Sequence, residues 1–130
     1  MGVLHTIRME APVNRLRKRG EERMTGPEGK ILYRFALDGP GALTFSVLED
    51  YIRQLVDYTG MDIRVEDRPE DIPCFWVYRQ GHRADYGWYA LALADGELII
   101  RLYEPAAEDS VQAYNRRLGR LLYDAVLWCL

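Results

Sequence analysis

The most regular pattern of apolar and polar positions lies in the segment GWYALALADGELIIRLYE, residues 87–104. Two runs of strand-forming residues flank Asp95-Gly96, a pair that favours a type I′ turn because both positions tolerate positive φ. A two-residue turn fixes the register of a hairpin, so Trp88 is expected to face Tyr103. The pattern predicts a β-hairpin around which the rest of the domain is organised.

The two faces of this hairpin differ in composition. Side chains alternate across a strand, so one face is apolar throughout and is expected to face the core. Its residues are Tyr89, Leu91, Leu93, Leu98, Ile100 and Leu102. The other face mixes aromatic, small and charged residues: Trp88, Ala90, Ala92, Ala94, Glu97, Ile99, Arg101 and Tyr103. An isolated hairpin is marginally stable in water, so this one is expected to belong to a larger sheet backed by helices.

Three further segments are predicted as strands because apolar residues dominate or alternate along them. They are Ile31–Asp38, Met61–Glu66 and Cys74–Arg79. A shorter candidate, Val3–Met9, precedes a basic segment near the start of the chain.

Two segments have the period of amphipathic helices. The first follows Gly39-Pro40-Gly41, and Ser46 with Glu49 matches a capping box at its start. Gly60 is expected to end this helix, because glycine adopts the left-handed conformation that follows many helices. The second helix is predicted from about Ser110 to the C-terminus, since apolar residues recur there every three or four positions.

The order strand, helix, four strands, helix indicates an α+β fold. We expect a two-layer sandwich: a mainly antiparallel sheet of about five strands, with two helices packed on one face. Residues 30–130 are predicted to form this single domain, and 130 residues suffice for one core. Residues 1–29 are predicted to be an N-terminal arm or appendage, since Met24 could also begin the chain.

Composition excludes several functional classes. Hydrophobic residues make up 48% of the chain and charged residues 28%, as in soluble globular domains, and we expect a cytoplasmic protein with no membrane segment. Residues 31–130 hold ten basic and sixteen acidic side chains, which disfavours a nucleic-acid partner. Cys74 and Cys129 have no metal-ligand spacing, so neither a metal nor another cofactor is predicted.

The chain carries nine Tyr and three Trp, more than one small core readily holds. Tyr, Trp and Arg are the residues that most often dominate protein interfaces. We therefore expect a non-enzymatic protein-binding domain of the immunity-protein, chaperone or inhibitor type, which contacts an unidentified protein partner through Trp88, Ile99, Arg101 and Tyr103. In the alternative interpretation, a helix or the N-terminal segment of the same chain covers this face.

A second functional hypothesis is a small enzyme or ligand-binding protein that acts on an anionic small molecule. Residues 79–86 form the densest polar cluster, and a His near Arg and Asp can support acid-base chemistry and anion binding. The candidate ligand site comprises Arg79, His82, Arg83, Asp85 and Tyr86. The structural alternative is a solvated loop, and no catalytic residue is assigned.

A second apolar stripe is predicted on the C-terminal helix. Tyr123, Leu127 and Leu130 recur at helical spacing on the side opposite the inner stripe. A second apolar stripe requires a second partner. These three residues are therefore expected either to form a homodimer contact or to receive the N-terminal segment.

Overall fold

The computed structural model describes residues 7–9, 29–37, 41–68, 71–105 and 108–129. In chain order, the elements within these ranges are β1 (Ile7–Met9), β2 (Gly29–Ala36), α1 (Gly41–Thr59), β3 (Ile63–Asp67), β4 (Cys74–Arg79), α2 (Arg83–Tyr86), β5 (Trp88–Ala94), β6 (Glu97–Tyr103) and α3 (Asp109–Cys129). The described strands form one sheet in the order β1-β2-β6-β5-β4-β3, and every neighbouring pair is antiparallel.

The helices α1 and α3 pack against one face of this sheet, which confirms the predicted α+β fold. α1 carries the chain from β2, near one edge, to β3 at the other edge. The strands β3 to β6 then follow one another as neighbours, and β6 returns the chain to β2. None of the helices in the described ranges is long and apolar enough to cross a membrane.

The central hairpin, β5 with β6, has the predicted register. Trp88 faces Tyr103, and the turn residues Asp95 and Gly96 have φ values of 53° and 76°. Both φ values lie in the left-handed region that the Asp-Gly pair tolerates. The predicted apolar face lies in the core, where Leu91 and Ile100 are fully buried, although Leu93 at the hairpin end is half-buried.

One buried contact fixes α3 on the sheet. The Tyr89 side chain crosses the core, and its hydroxyl donates a hydrogen bond of 2.6 Å to the backbone carbonyl of Asn115. Burial raises the pKa of Tyr89 well above its usual range, so the hydroxyl stays a donor. Gly119 lies against the same hydroxyl, where a Cβ would collide with it.

The starts of α1 and β3 differ from the prediction. The capping box is wrong, because α1 begins at Gly41 and Ser46 is an exposed residue inside it. The sequence between Gly41 and Ser46 contains no residue that stops a helix, so the helix extends back to the segment after Pro40. β3 begins at Ile63 rather than Met61, because Asp62 has a φ of 57° and cannot continue a strand.

The end of α1 agrees with the prediction, since α1 stops at Thr59 and Gly60 has a φ of 68°. Of the candidate strand Val3–Met9, Ile7–Met9 is a described strand and pairs with β2. The other residues of that candidate, and Asp38 at the predicted end of β2, lie outside the described residues. The proposed boundary between residues 1–29 and 30–130 stays a prediction.

Candidate functional site

The outer face of the sheet, which is the face away from α1 and α3, carries stacked aromatic rings. Trp76, Trp88 and Tyr103 come from the adjacent strands β4, β5 and β6, and we call them the aromatic ladder. The ring centroids of Trp76 and Trp88 are 4.7 Å apart, and those of Trp88 and Tyr103 are 4.9 Å apart with planes at 11°. These separations are typical of stacked aromatic pairs.

The register of the strands explains this stacking. Trp88 and Tyr103 lie directly opposite each other, and Trp76 lies opposite Ala90. The small Ala90 side chain leaves space over which the Trp76 ring reaches Trp88, its diagonal neighbour. Gly87 precedes Trp88 with a φ of 80°, and a Cβ there would collide with the Tyr103 carbonyl oxygen. Close approach of the two strands at this end of the hairpin therefore depends on glycine.

Both ends of the aromatic ladder have neighbours that occupy the ring faces. The Arg68 guanidinium lies 4.0 Å from the Trp76 ring centroid, within the range of a cation-π contact. Arg83 approaches the same ring, at 5.2 Å. At the other end, Gly29 lies so close to the Tyr103 ring that a Cβ would collide with it. The ring faces are therefore occupied, and a ligand would meet mainly the ring edges.

A hydrogen-bonded group beside the ladder holds Arg68. Arg68 Nη1 lies 2.8 Å from Glu66 Oε2, and the Tyr78 hydroxyl donates to Glu66 Oε1 at 2.5 Å. These bonds lower the pKa of Glu66 below its usual range, and the bond from Tyr78 has the largest effect. Burial, together with the Glu66 carboxylate, raises the pKa of Tyr78. Glu66 is thus held as a carboxylate that orients Arg68 over Trp76.

The predicted protein-binding residues share this face. Trp88, Ile99, Arg101 and Tyr103 are all half-buried, so each keeps part of its side chain accessible. The neighbouring Ala90 is 8% exposed. The helices α1 and α3 lie on the opposite face, so neither covers these residues. The buried indole N–H of Trp88 has no hydrogen-bond acceptor among the described residues.

The outer face is basic although the whole chain has a net charge of -3. Five described arginines lie on this face. Strand alternation places Arg34, Arg64 and Arg101 there. Contact with the aromatic ladder places Arg68 and Arg83 there. Two glutamates lie there with them: Glu66 and Glu97. Most of the acidic side chains in the described ranges therefore lie elsewhere on the protein.

Sequence reasoning did not place Arg68, Trp76, Tyr78 and Arg83 on this face. Trp76 could have been identified, because strict alternation in β4 places it opposite to Phe75 and Val77, which are buried in the core. Arg68 and Arg83 lie outside the strands. Their positions depend on how the connecting segments fold, which no local pattern specifies.

The structure divides the candidate ligand site at residues 79–86 between two sides of the protein. Arg79 donates a hydrogen bond to the Tyr86 hydroxyl and also lies over the Tyr86 ring. Arg83, by contrast, extends over the aromatic ladder. His82 and Asp85 form an exposed pair at 3.2 Å, and the His82 hydrogen bond lowers the pKa of Asp85. The His82 ring also contacts the Tyr86 ring, with centroids 5.2 Å apart, so four of the five residues adjoin one another while Arg83 extends away. The candidate ligand site stays a prediction.

Tyr86 and its neighbours serve the packing of α3. The Tyr86 ring meets the Tyr114 ring edge to face, with centroids 5.3 Å apart. Burial raises the pKa of Tyr114 to about 12, and its hydroxyl donates to the Met61 carbonyl. Asn115, which is 3% exposed, donates to the Tyr86 carbonyl and to Glu104 Oε2, each at 2.8 Å. These contacts anchor α2 to α3.

A cavity of about 250 Å³ lies elsewhere, between α1 and the edge strand β3. Arg53, Val56, Ile63 and Val65 are among the residues that line it. None of His82, Arg83 and Asp85 lines this cavity. Of residues 79–86, Gln80 is the one that lines the cavity.

The predicted stripe on α3 is also divided. Tyr123 packs within the chain, with its ring centroid 5.0 Å from that of Tyr33 on β2. Leu127 is 40% exposed, and Leu130 lies outside the described residues. Next to Leu127, Trp128 is 76% exposed and stacks on Tyr51 of α1. Self-association through Tyr123, Leu127 and Leu130 stays a prediction.

Within the described ranges, no group of three or more His, Cys, Asp or Glu side chains is placed to hold a metal ion. Cys74 and Cys129 are not joined by a disulfide. Comparison of the chain with protein-family models, with curated proteins and with solved structures found no match.

Proposed function

We propose that this protein is a non-enzymatic protein-binding domain that binds its partner on the outer face of the sheet. The aromatic ladder is the observation that carries the proposal. Its three rings come from three adjacent strands and stack on one another, so their conformations are fixed before any partner binds. Preorganised Trp and Tyr side chains lose little conformational entropy on binding, which favours affinity.

The neighbours of the ladder have the chemistry of an interface. Ala90 and Ala92 form a flat floor over which a partner can approach closely, while Ile99 and Arg101 project beside them. Half-buried Trp, Tyr and Arg side chains are the usual dominant residues of protein interfaces.

The charge of the outer face indicates the kind of partner. Among the described residues, five arginines against two glutamates give this face an excess of positive charge, although the whole chain has a net charge of -3. Opposite potentials favour encounter and specificity between proteins. We therefore expect a protein partner with an acidic contact surface, and an affinity that falls as ionic strength rises.

The test starts by capturing partners from the native host on the immobilised full chain. Affinity for the captured partner is then measured by calorimetry for the wild type and for Trp88→Ala and Arg101→Ala. Each substitution is expected to weaken binding by about 2 kcal/mol or more, the range of interface hot spots. Tyr58→Ala is the matched control, since Tyr58 is an 84% exposed aromatic residue on α1.

Unchanged affinity in both outer-face variants, with thermal stability retained, would remove this face from consideration. The alternative hypothesis, a ligand or enzyme site at residues 79–86, makes the opposite prediction. His82→Ala is expected to leave partner binding intact, because His82 pairs with Asp85 away from the ladder. Loss of function in that variant, with unchanged stability, would favour the alternative.

A further inference from the structure

The strand β3 lies at an edge of the sheet and has β4 as its one neighbour among the described strands. The backbone hydrogen bonds between β3 and β4 show which backbone groups of β3 point outward. Gln80 N–H donates to the Asp62 carbonyl and Arg68 N–H donates to the Cys74 carbonyl, so the even-numbered residues of β3 bond to β4. In antiparallel pairs these bonds alternate along the strand. Ile63, Val65 and Asp67 therefore direct their N–H and C=O groups away from the sheet.

One of these outward groups has a contact from α1. Arg53 Nη1 lies 3.3 Å from the Val65 carbonyl oxygen, a long hydrogen bond. The same guanidinium lies 2.9 Å from Glu49 Oε2 and 3.3 Å from Asp67 Oδ1. Arg53 would keep both carboxylate partners if it moved off the Val65 carbonyl. Pairing this edge with another strand would therefore cost one weak hydrogen bond, the one from Arg53 to the Val65 carbonyl.

We propose that β3 is a self-association edge, at which two copies of this chain pair their β3 strands antiparallel about a two-fold axis at Val65. Val65 then faces Val65 of the second copy, and Ile63 faces Asp67. These are the residues whose backbone groups point outward, so each pair exchanges both backbone hydrogen bonds. The cavity between α1 and β3 leaves room beside the edge for an inward-facing side chain of the added strand.

The charges of β3 select this register and this partner. Arg64 and Glu66 lie on the outer face, one residue on either side of Val65. Pairing about Val65 places Arg64 of each copy opposite Glu66 of the other, and such cross-strand charge pairs are stabilising. A register centred on Arg64 or on Glu66 would place like charges directly opposite each other. β3 is thus electrostatically complementary to itself in one register.

The association is measured by sedimentation velocity on the full chain from micromolar to millimolar concentration. An edge-to-edge contact buries little surface, so a weak dimer is expected. Arg64→Glu alone and Glu66→Arg alone place like charges opposite each other and are each expected to raise the dissociation constant at least about tenfold. An equimolar mixture of the two variants restores every opposite-charge pair, so it is expected to form heterodimers.

A second variant tests the backbone bonds without the charges. Val65→Pro removes the outward N–H while leaving the β3–β4 hydrogen bonds in place, as proline on an edge strand allows. It is expected to abolish the dimer with circular dichroism unchanged, whereas the control Val65→Ala keeps the N–H and the dimer. Arg64 is an exposed side chain, so Arg64→Glu tests the register even if the proline variant does not fold.

Three results would overturn the proposal. A wild-type chain that is monomeric at millimolar concentration would show that the edge does not self-associate. A dimer that survives both Arg64→Glu and Val65→Pro would place the contact on another surface. If the wild type is monomeric and Val65→Pro loses the captured protein partner, the edge takes a strand of a foreign protein instead.

Discussion

The contact between Tyr89 and Gly119 allows a quantitative test of how α3 packs on the sheet. Tyr89 is 2% exposed, so its ring has no free space into which it could move. A Cβ at Gly119 would lie 3.1 Å from Tyr89 Cζ and nearer still to the hydroxyl oxygen. Gly119→Ala therefore forces either the ring or the helix to shift.

Three contributions set the expected change in stability. Overpacking a buried site costs about 1 to 3 kcal/mol. Displacing the Tyr89 hydroxyl from the Asn115 carbonyl costs about 0.5 to 1.5 kcal/mol more. Alanine is the better helix former by about 1 kcal/mol, which offsets part of this. We expect Gly119→Ala to lower the free energy of unfolding by about 0.5 to 3.5 kcal/mol, although helix propensity alone predicts stabilisation.

The assay is urea unfolding followed by circular dichroism, with two companion variants. Ala113→Gly, at an exposed position of the same helix, measures the propensity difference without the clash. Tyr89→Phe removes the hydroxyl at a cost of about 0.5 to 1.5 kcal/mol, since the Asn115 carbonyl can keep its helical hydrogen bond. In the double variant, the Gly119→Ala methyl group takes the space of the hydroxyl.

The double variant is therefore expected to be at least as stable as Tyr89→Phe alone, so the two substitutions are coupled. Additive effects would refute the reasoning, because they would mean that the hydroxyl and the introduced methyl group do not compete for the same space. A stabilised Gly119→Ala variant would refute it as well.

The remaining predictions concern the core, the outer face and pH. Ile100→Ala is expected to cost about 2 to 5 kcal/mol in urea unfolding, because Ile100 is fully buried, whereas Ile99→Ala at the half-buried neighbouring position should cost less. Trp88→Phe removes a buried N–H that lacks an acceptor among the described residues, so its melting temperature should fall less than that of Trp88→Ala. The pKa of Glu66 is lowered in the folded state. Its contribution to the free energy of unfolding is therefore fully present above the ordinary Glu pKa of about 4, and it is lost as the pH falls through the folded-state pKa. Glu66→Gln should therefore flatten the loss of stability on acidification below that pH, measured by thermal melts across the acid range.

Much of the fold could be predicted because its signals are local. A type I′ turn requires positive φ at both central positions, which Asp95 and Gly96 adopt, and a two-residue turn leaves a single register for the hairpin. Gly60 marks the end of α1 for a similar conformational reason. The pairing of β2 with β6 could not be predicted, because β2 is separated from β6 by α1 and three strands, and no local pattern encodes that contact.

The candidate site was predicted in part for the same reason. Trp88, Ile99, Arg101 and Tyr103 lie within the hairpin, so alternation alone placed them together on one face. Trp76 joins them from β4, whose register with β5 is set across an eight-residue segment that includes a short helix. Arg79 and Arg83 lie close in sequence, yet they extend to different sides, because the turn into α2 separates them.

The two sides of the sheet are connected through α2. Buried Asn115 of α3 donates to the Tyr86 carbonyl at the end of α2, and Arg79 binds the Tyr86 hydroxyl from β4. These bonds hold α2 on the helix side, while Arg83 at its start lies over the aromatic ladder. Because α2 is a single turn, its two ends cannot move independently. The position of Arg83 on the proposed binding face is therefore set by packing in the core on the opposite side of the sheet.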